Sequence, residues 1–374
     1  MTNNISIISS FIYDIDKEDF TTGGVQTYVK SLALLFQKNN INTTIYQISK
    51  SDWQRSVNGI KIVGVKTNSN QKLFNKIYPT LPPNSVVIIA TDALNIKSKQ
   101  DNVITINHGI CFDYPLKSTG LKFVIDIFEK ILRCVRNCIR FNYVRNTVCV
   151  DYNYFNWLRT ITSKRLNAKL RVIPNFCLDS ISEEDLEQKL ANRKTEPKKI
   201  VFARRFVDYR GTKVFANVAK KLLSDFPETT ITFAGAGPLE EYIRDFFKND
   251  SRVNITRFAS EKTIEFHKQF DIAIVPTIFS EGTSLSLLDA MGAGCFPVAT
   301  HVGGMTNIIL DNFNGFLCAP EENEIYETLR KVMLLENDEF QNKVRFALKT
   351  AKYAFGYDNW ATKWLNVVRL MSSK

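Results

Sequence analysis

The chain has three histidines in 374 residues, no Cys-x-x-Cys pair and no apolar run near the ~18–20 residues that cross a bilayer. Its seven cysteines are odd in number, and Cys134 and Cys138 lack a second pair, so neither a zinc site nor a disulfide framework is expected. Reduced, partly buried thiols are the better reading. The first residues, MTNNISIISSFIYDID, have no basic start, so no secretory signal is expected and the chain is read as cytosolic. There is no repeat at ~20–50 residues, no low-complexity tract and no complete Gly-x-Gly-x-x-Gly. A hydrophobic content of 44% with 23% charged residues excludes disorder and collagen-like repeats as the main organisation.

Positive charge, by contrast, is present in excess and concentrated. The net charge is +11. Between Lys117 and Arg171 twelve basic residues face three acidic ones, which accounts for +9 of it. Nucleic acid, an anionic bilayer and a phosphorylated substrate all suit such a surface.

Hydrophobic patterning gives the fold class. Residues 4–9 read as a first buried strand. After Gly23-Gly24, apolar residues at Val25, Tyr28, Val29, Leu32, Leu35 and Phe36 repeat at helical spacing. Residues 41–48, 86–90 and 103–106 read as further strands. A second series begins near Lys198, with strands at 199–203, 229–234, 253–255, 272–275, 296–299 and 315–318 and helices at 211–226, 239–247 and 285–291. Strands alternating with helices predict doubly wound parallel sheets. The expectation is two Rossmann-like α/β domains facing across a cleft. The N-terminal one covers 1–182 and the C-terminal one 198–356. The charged stretch 183–197 is read as a linker, and a helix over about 357–372 is expected to pack back onto the first domain.

The stretch VPTIFSEGTSLSLLDAMGAGCFPVATHVGG, residues 275–304, carries the most chemistry. Ser280-Glu281-Gly282-Thr283-Ser284 runs into a helix, whose first amides suit phosphate or sugar oxygens. Glu281 and Asp289 are eight positions apart, a little over two turns, which puts them on one side. This stretch resembles the donor-binding signature of the family 4 retaining glycosyltransferases, which have the two-domain GT-B fold. Gly23-Gly24 resembles that family's N-terminal glycine loop, and Val172-Ile173-Pro174-Asn175 its turn at the domain junction. Arg205-x4-Arg210-Gly211 resembles its R-x4-K-G element, with Arg210 where the family has lysine. Gly235-Ala236-Gly237-Pro238 resembles its G-x-G-P turn, read here as a tight turn ahead of a ligand contact.

The resemblance covers roughly residues 20–355, and it implies a nucleotide-sugar donor and transfer with anomeric retention. Donor contacts are expected from Gly23, Gly24, Arg205, Arg210, Glu281, Gly282, Thr283, Ser284 and Asp289. His108, at a strand end, and Glu281 are expected near the donor sugar, with Arg205 and Arg210 stabilising the leaving diphosphate. Asp289, one methylene shorter than the family's glutamate, is expected to hold ribose hydroxyls. Arg204 is read as pointing away from Arg205 by strand alternation. No metal or other cofactor is expected, because no Asp-x-Asp is flanked by apolar strands.

Residues 121–144 read as an amphipathic helix with Leu121, Val124, Phe128, Ile131, Val135, Cys138 and Ile139 on one face. Lys122, Asp126, Arg133, Arg136 and Arg140 lie opposite. Either the helix packs into the core, or Arg133, Arg136 and Arg140 meet an anionic inner-membrane surface or acceptor. Nucleic acid is not expected as a partner, since no nucleic-acid module is visible. The leading reading is a metal-independent transferase of the bacterial cell-surface polysaccharide type. It would be peripheral on the cytoplasmic face of the membrane and act on a glycan or lipid-linked glycan acceptor. A sugar-nucleotide epimerase and a non-catalytic sugar-nucleotide-binding protein are the alternatives.

Overall fold

The structure is a computed structural model describing residues 4–21, 23–90, 96–114, 116, 118–141, 143–161, 170–192 and 198–372; the side chains of Arg140 and Ser372 lie outside the described set. The chain divides into two compact units. One comprises Met1–Phe112, Leu116–Pro174 and Trp360–Lys374, and the other Asp113–Pro115 and Asn175–Asn359.

The strands of the first unit are β1 (Asn4–Ser9), β2 (Tyr13–Asp14), β3 (Asp19–Phe20), β4 (Asn42–Ser49), β5 (Trp53–Val57), β6 (Ile60–Lys66), β7 (Val86–Ile89), β8 (Val103–Asn107), β9 (Asn146–Cys149) and β10 (Leu170–Val172). Eight of them form one sheet in the order β10-β9-β8-β7-β1-β4-β6-β5. All its pairings are parallel except β5 with β6, and β2 and β3 form a separate ribbon. The β5–β6 hairpin, absent from the sequence reading, turns on Asn58-Gly59, both at positive φ (51° and 77°), the conformation that a two-residue primed turn requires.

Helix α1 (Gly24–Lys38) buries Tyr28, Val29, Leu32, Leu35 and Phe36. It stops at Asn40, whose φ is 56°. The amides of Asn40 and Ile41 return to the Gln37 and Phe36 carbonyls, each at 3.0 Å, which satisfies the last turn. Helices α2 (Asn70–Ile77), α3 (Gly120–Phe141) and α4 (Tyr152–Ile161) complete the run before the second unit.

Helix α3 departs from the core-packing alternative. Leu121, Val124, Phe128, Ile131, Val135 and Ile139 are all exposed. Its far end is anchored most firmly: Phe141 is buried in a cluster with Cys149, Tyr154, Leu158 and Leu170, and Cys138 packs against it.

The first helix of the second unit is α5 (Glu183–Asn192), where a linker was expected. The residues are highly charged, but Leu186 and Leu190 enter the unit's main core, and Lys189 Nζ donates to the carbonyls of Ala293 (3.0 Å) and Gly294 (2.8 Å). One apolar edge suffices to seat a helix that composition alone presents as a spacer. Strands β11 (Lys199–Ala203), β12 (Thr230–Ala234), β13 (Val253–Thr256), β14 (Ile272–Val275), β15 (Phe296–Thr300) and β16 (Phe316–Cys318) follow. They form a wholly parallel sheet in the order β13-β12-β11-β14-β15-β16. Helices α6 (Thr212–Asp225), α7 (Glu240–Phe246), α8 (Thr263–His267), α9 (Leu285–Gly292), α10 (Glu322–Met333) and α11 (Asn337–Lys349) connect and flank the strands.

Helix α12 (Tyr357–Ser372) begins in the second unit and continues into the first. There Trp364 Nε1 donates to the Tyr28 hydroxyl at 2.7 Å, and Trp360 meets the Tyr28 ring edge-on. Burial pushes the Tyr28 phenol well above its ordinary range, so it stays neutral.

Candidate functional site

In a doubly wound sheet, ligands bind outside the carboxyl ends of the strands where the winding reverses. In the second unit that reversal falls between β11 and β14, which are neighbours in space and lead to opposite edges. Arg204 follows β11, and Thr277 and Glu281 follow β14. These three side chains meet there.

Glu281 Oε2 accepts from Arg204 Nη2 at 2.6 Å, from Thr277 Oγ1 at 3.1 Å and from Arg210 Nη1. The second arm of Arg204 bonds Thr277 Oγ1, and the three residues close a ring. The Arg204 side chain is 6% exposed, Glu281 10% and Arg210 23%. Burial alone would raise the Glu281 carboxyl; the two guanidiniums outweigh it and hold the group below its ordinary value. Burial likewise lowers the basicity of Arg204, which Glu281 partly restores. Among the described residues all three bonds go to Oε2, and Oε1 is left to accept from another group. Arg210 also lies over the Tyr209 ring, 5.0 Å from its centre, which fixes the outer cation.

The backbone beneath this cluster is strained and tightly packed. Ser280, immediately before Glu281, has φ 53°, a region that non-glycine residues enter at a cost of ~1–3 kcal/mol. Its amide donates to the Asp113 carbonyl at 3.0 Å. Gly303 has φ 58°, and a Cβ there would collide with the Glu281 backbone. Gly304 N–H donates to the Glu281 carbonyl at 3.2 Å. The glycines of the 303–304 turn therefore set the position of the Glu281 main chain. Gly235 acts similarly one strand away, since a Cβ there would strike the Arg204 carbonyl.

The structure sorts the remaining expected residues as follows. Arg205, expected with Arg210 at the leaving diphosphate, is exposed, and it is Arg204 that joins Arg210 at Glu281. Alternation does set the two apart; apolar patterning could not say which of them faces inward. Thr283 is buried, with Oγ1 accepting from Asn175 N–H (2.7 Å) and its carbonyl from Asn175 Nδ2 (2.5 Å). Gly282 and Ser284 are buried beside it, and Ser284 Oγ pairs with Ser286 Oγ at 3.1 Å. Asp289 lies on α9, half-buried, and accepts from Thr263 Oγ1 at 3.5 Å. Burial pushes its carboxyl up to about 7 against that hydroxyl's opposing effect. Thr277 and Thr263 were missed. Thr277 stands just past a strand end and four residues before Glu281, a placement that could have marked it.

Gly23, Gly24 and His108 belong to the first unit. Gly23 caps α1 and Gly24 opens it. His108 follows β8, with Nε2 3.3 Å from the Ala90 carbonyl and its ring edge-on to Tyr28. Burial lowers its pKa to about 4, so the imidazole is neutral near pH 7. Among the basic residues assigned to α3, Arg133 and Arg136 are exposed; the side chain of Arg140 lies outside the described residues.

Comparison with known proteins bears on this unit most directly. Residues 183–351 match the family model described as Glycosyl transferases group 1. Sulfoquinovosyl transferase SQD2 of Arabidopsis thaliana is 21% identical over 240 residues, 56% of this chain and 44% of that protein. An Escherichia coli UDP-Gal:alpha-D-GlcNAc-diphosphoundecaprenol alpha-1,3-galactosyltransferase is 21% identical over 249 residues, 63% of this chain and 60% of that one. The chain thus spans less than two thirds of the length of these curated relatives. Among solved structures, sucrose-phosphate synthase from Thermosynechococcus elongatus superimposes with a TM-score of 0.74 over 99% of both chains at 12% identity. The two parallel α/β sheets and this superposition agree with the fold that the resemblance implied. Residues 183–351 thus match a glycosyl transferases group 1 model, in a chain that shares the fold of the GT-B structure it superimposes on.

Proposed function

We propose that the protein transfers a sugar from a nucleotide-sugar donor to a glycan acceptor with retention of anomeric configuration and without a metal ion. The observation that carries this reading is the Glu281–Arg204–Arg210 cluster at the winding reversal of the unit that matches a glycosyl transferases group 1 model. Breaking the bond from the anomeric carbon to the diphosphate sends the electron pair to the leaving oxygen. Fixed guanidinium charge in a site shielded from water stabilises that oxygen. The acceptor hydroxyl adds to the same face of the anomeric carbon, and its proton passes to the departing phosphate. In this reading Arg210, the more accessible cation, takes the diphosphate, and Glu281 Oε1 accepts from a donor-sugar hydroxyl. Asp289 holds the ribose. The resemblance also gives His108, Gly23 and Gly24 donor-side roles, with His108 a neutral hydrogen-bonding group.

The acceptor is proposed to be lipid-linked and the setting surface-polysaccharide assembly at the cytoplasmic membrane face. The named substrate of the E. coli relative, a diphosphoundecaprenol, supports that choice. A panel of UDP-, GDP- and ADP-sugars, followed by nucleotide release, tests the reaction. Full activity in excess EDTA and a product with the donor's anomeric configuration are expected. Loss in EDTA with rescue by manganese, or inversion at the anomeric carbon, overturns the corresponding part.

Asp289 gives a pH signature. Its carboxyl ionises near 3.8 in the unfolded chain and about 7 in the folded one. Between those values the folded protein holds a proton that the unfolded chain has released. Its contribution to stability therefore falls as pH rises through that window. Ionised, the group is the stronger acceptor for ribose hydroxyls. Thermal stabilisation by the cognate nucleoside diphosphate should grow between pH 6 and pH 8 in the wild type and stay flat in Asp289→Asn. Parallel profiles for the two proteins exclude the ribose role.

A further inference from the structure

We infer that α3 is a membrane-inserting helix, lying in the plane of an anionic leaflet with its apolar face among the acyl chains. The inference stands apart from the glycosyl-transfer reading, because it rests on the exposed surface of the first unit alone.

Leu121, Val124, Phe128, Ile131, Val135 and Ile139 recur at three- and four-residue steps, which makes one continuous stripe along the helix. Leu121 is 78% exposed, Phe128 61% and Ile139 50%. Six large apolar side chains aligned in water along one helix form a patch that a free surface rarely carries. The helix is held from another side, where Lys130 and Cys134 are half-buried and Asn137 and Phe141 are buried. The stripe therefore faces outward because the helix is fixed that way.

The occupant follows from charge. Lys122, Arg133 and Arg136 are all exposed on the same helix, across it from the stripe, within a segment of net +9. A second copy of the chain on this face would bring two such segments together. An anionic lipid surface takes the apolar stripe and attracts the long cationic side chains of the same segment, the two signals that reversible anchoring requires. No helix of the described residues is long and apolar enough to cross a membrane. The charged positions of α3 place it on the bilayer and not through it.

The test uses the full chain and vesicles of phosphatidylcholine with or without phosphatidylglycerol, at low and high salt. Wild-type protein should sediment with the anionic vesicles and release as salt rises. The exposed triple variant Phe128→Ser, Ile131→Ser, Val135→Ser should keep the wild-type melting temperature. It should bind at least about 100-fold more weakly, since withdrawing each such side chain from water is worth roughly tenfold or more. In Phe128→Trp, emission above the wild-type background should shift to the blue and be quenched by brominated lipid. Absence of binding to anionic vesicles at low salt overturns the inference. So does unquenched emission from the introduced indole on vesicles that do bind, which would mean contact by charge alone. A concentration-dependent dimer abolished by the triple variant would assign the stripe to a second copy instead. Nucleotide release toward a water-soluble acceptor should be the same in the wild type and the triple variant, so failure here leaves the proposed reaction untouched.

Discussion

Glu281→Ala should lower turnover at least about 100-fold, the scale for a group that positions a reacting substrate. Two guanidiniums and a threonine hydroxyl hold Oε2 in one place, so Oε1 is aimed without reorganisation when the donor arrives. An alanine removes the aimed acceptor and the anion that spaces Arg204 from Arg210. The diphosphate would then meet two cations no longer fixed for it. The loss should appear mainly in kcat, because the acceptor contact tightens as the donor sugar distorts toward the transition state. A folded Glu281→Ala protein with near-normal turnover would remove the residue from the mechanism.

Arg204→Ala and Arg210→Ala should fail in different ways. Arg204 is almost fully enclosed and bonds two partners. Removing it leaves the Glu281 carboxylate half-paired in a buried setting, a change worth about 3–5 kcal/mol. The melting temperature of the second unit should fall by roughly 6–20 °C on that account. Arg210 is more accessible and is steadied by the Tyr209 ring, so its truncation should spare the fold and reduce turnover by at least about tenfold. Arg205→Ala, at an exposed position, should be close to silent in both measurements. Calorimetry and steady-state kinetics on the three variants settle the order. A silent Arg204→Ala beside a severely impaired Arg205→Ala would restore the sequence-based assignment.

Strands with long apolar runs, such as Val86–Ile89 and Ile272–Val275, were legible because full burial on both sheet faces leaves no alternation to misread. The β5–β6 pair was missed. Trp53–Val57 is an edge strand with three exposed polar residues, and its one clear signal, Asn58-Gly59, is short. Helix α5 was hidden by composition: two leucines seat it, and charge dominates its sequence. At the site, Glu281 and the glycines around it could be singled out, because only close backbone packing and a helix start explain that pattern. The partner of Glu281 could not. Whether Arg204 or Arg205 points inward depends on how the chain leaves β11, which the Gly235 and Gly237 turn fixes from another strand. The apolar face of α3 was also legible as a face. That it meets solvent follows from how its other side is held, a tertiary fact.

The bond from Trp364 to Tyr28 has a consequence for how the protein is made. Strands β1 to β10 of the first unit are translated ahead of nearly all of the second unit, yet their packing is finished by a helix that leaves the ribosome after it. Nearly all of the second unit is synthesised between those two events. The unit begun first is therefore completed second, and Tyr28 must wait through 336 residues of translation for its hydrogen-bond donor. A chain that terminates before Trp360 would leave Tyr28 without Trp360 and Trp364. Such a product should be recognised by proteases at its amino-terminal half.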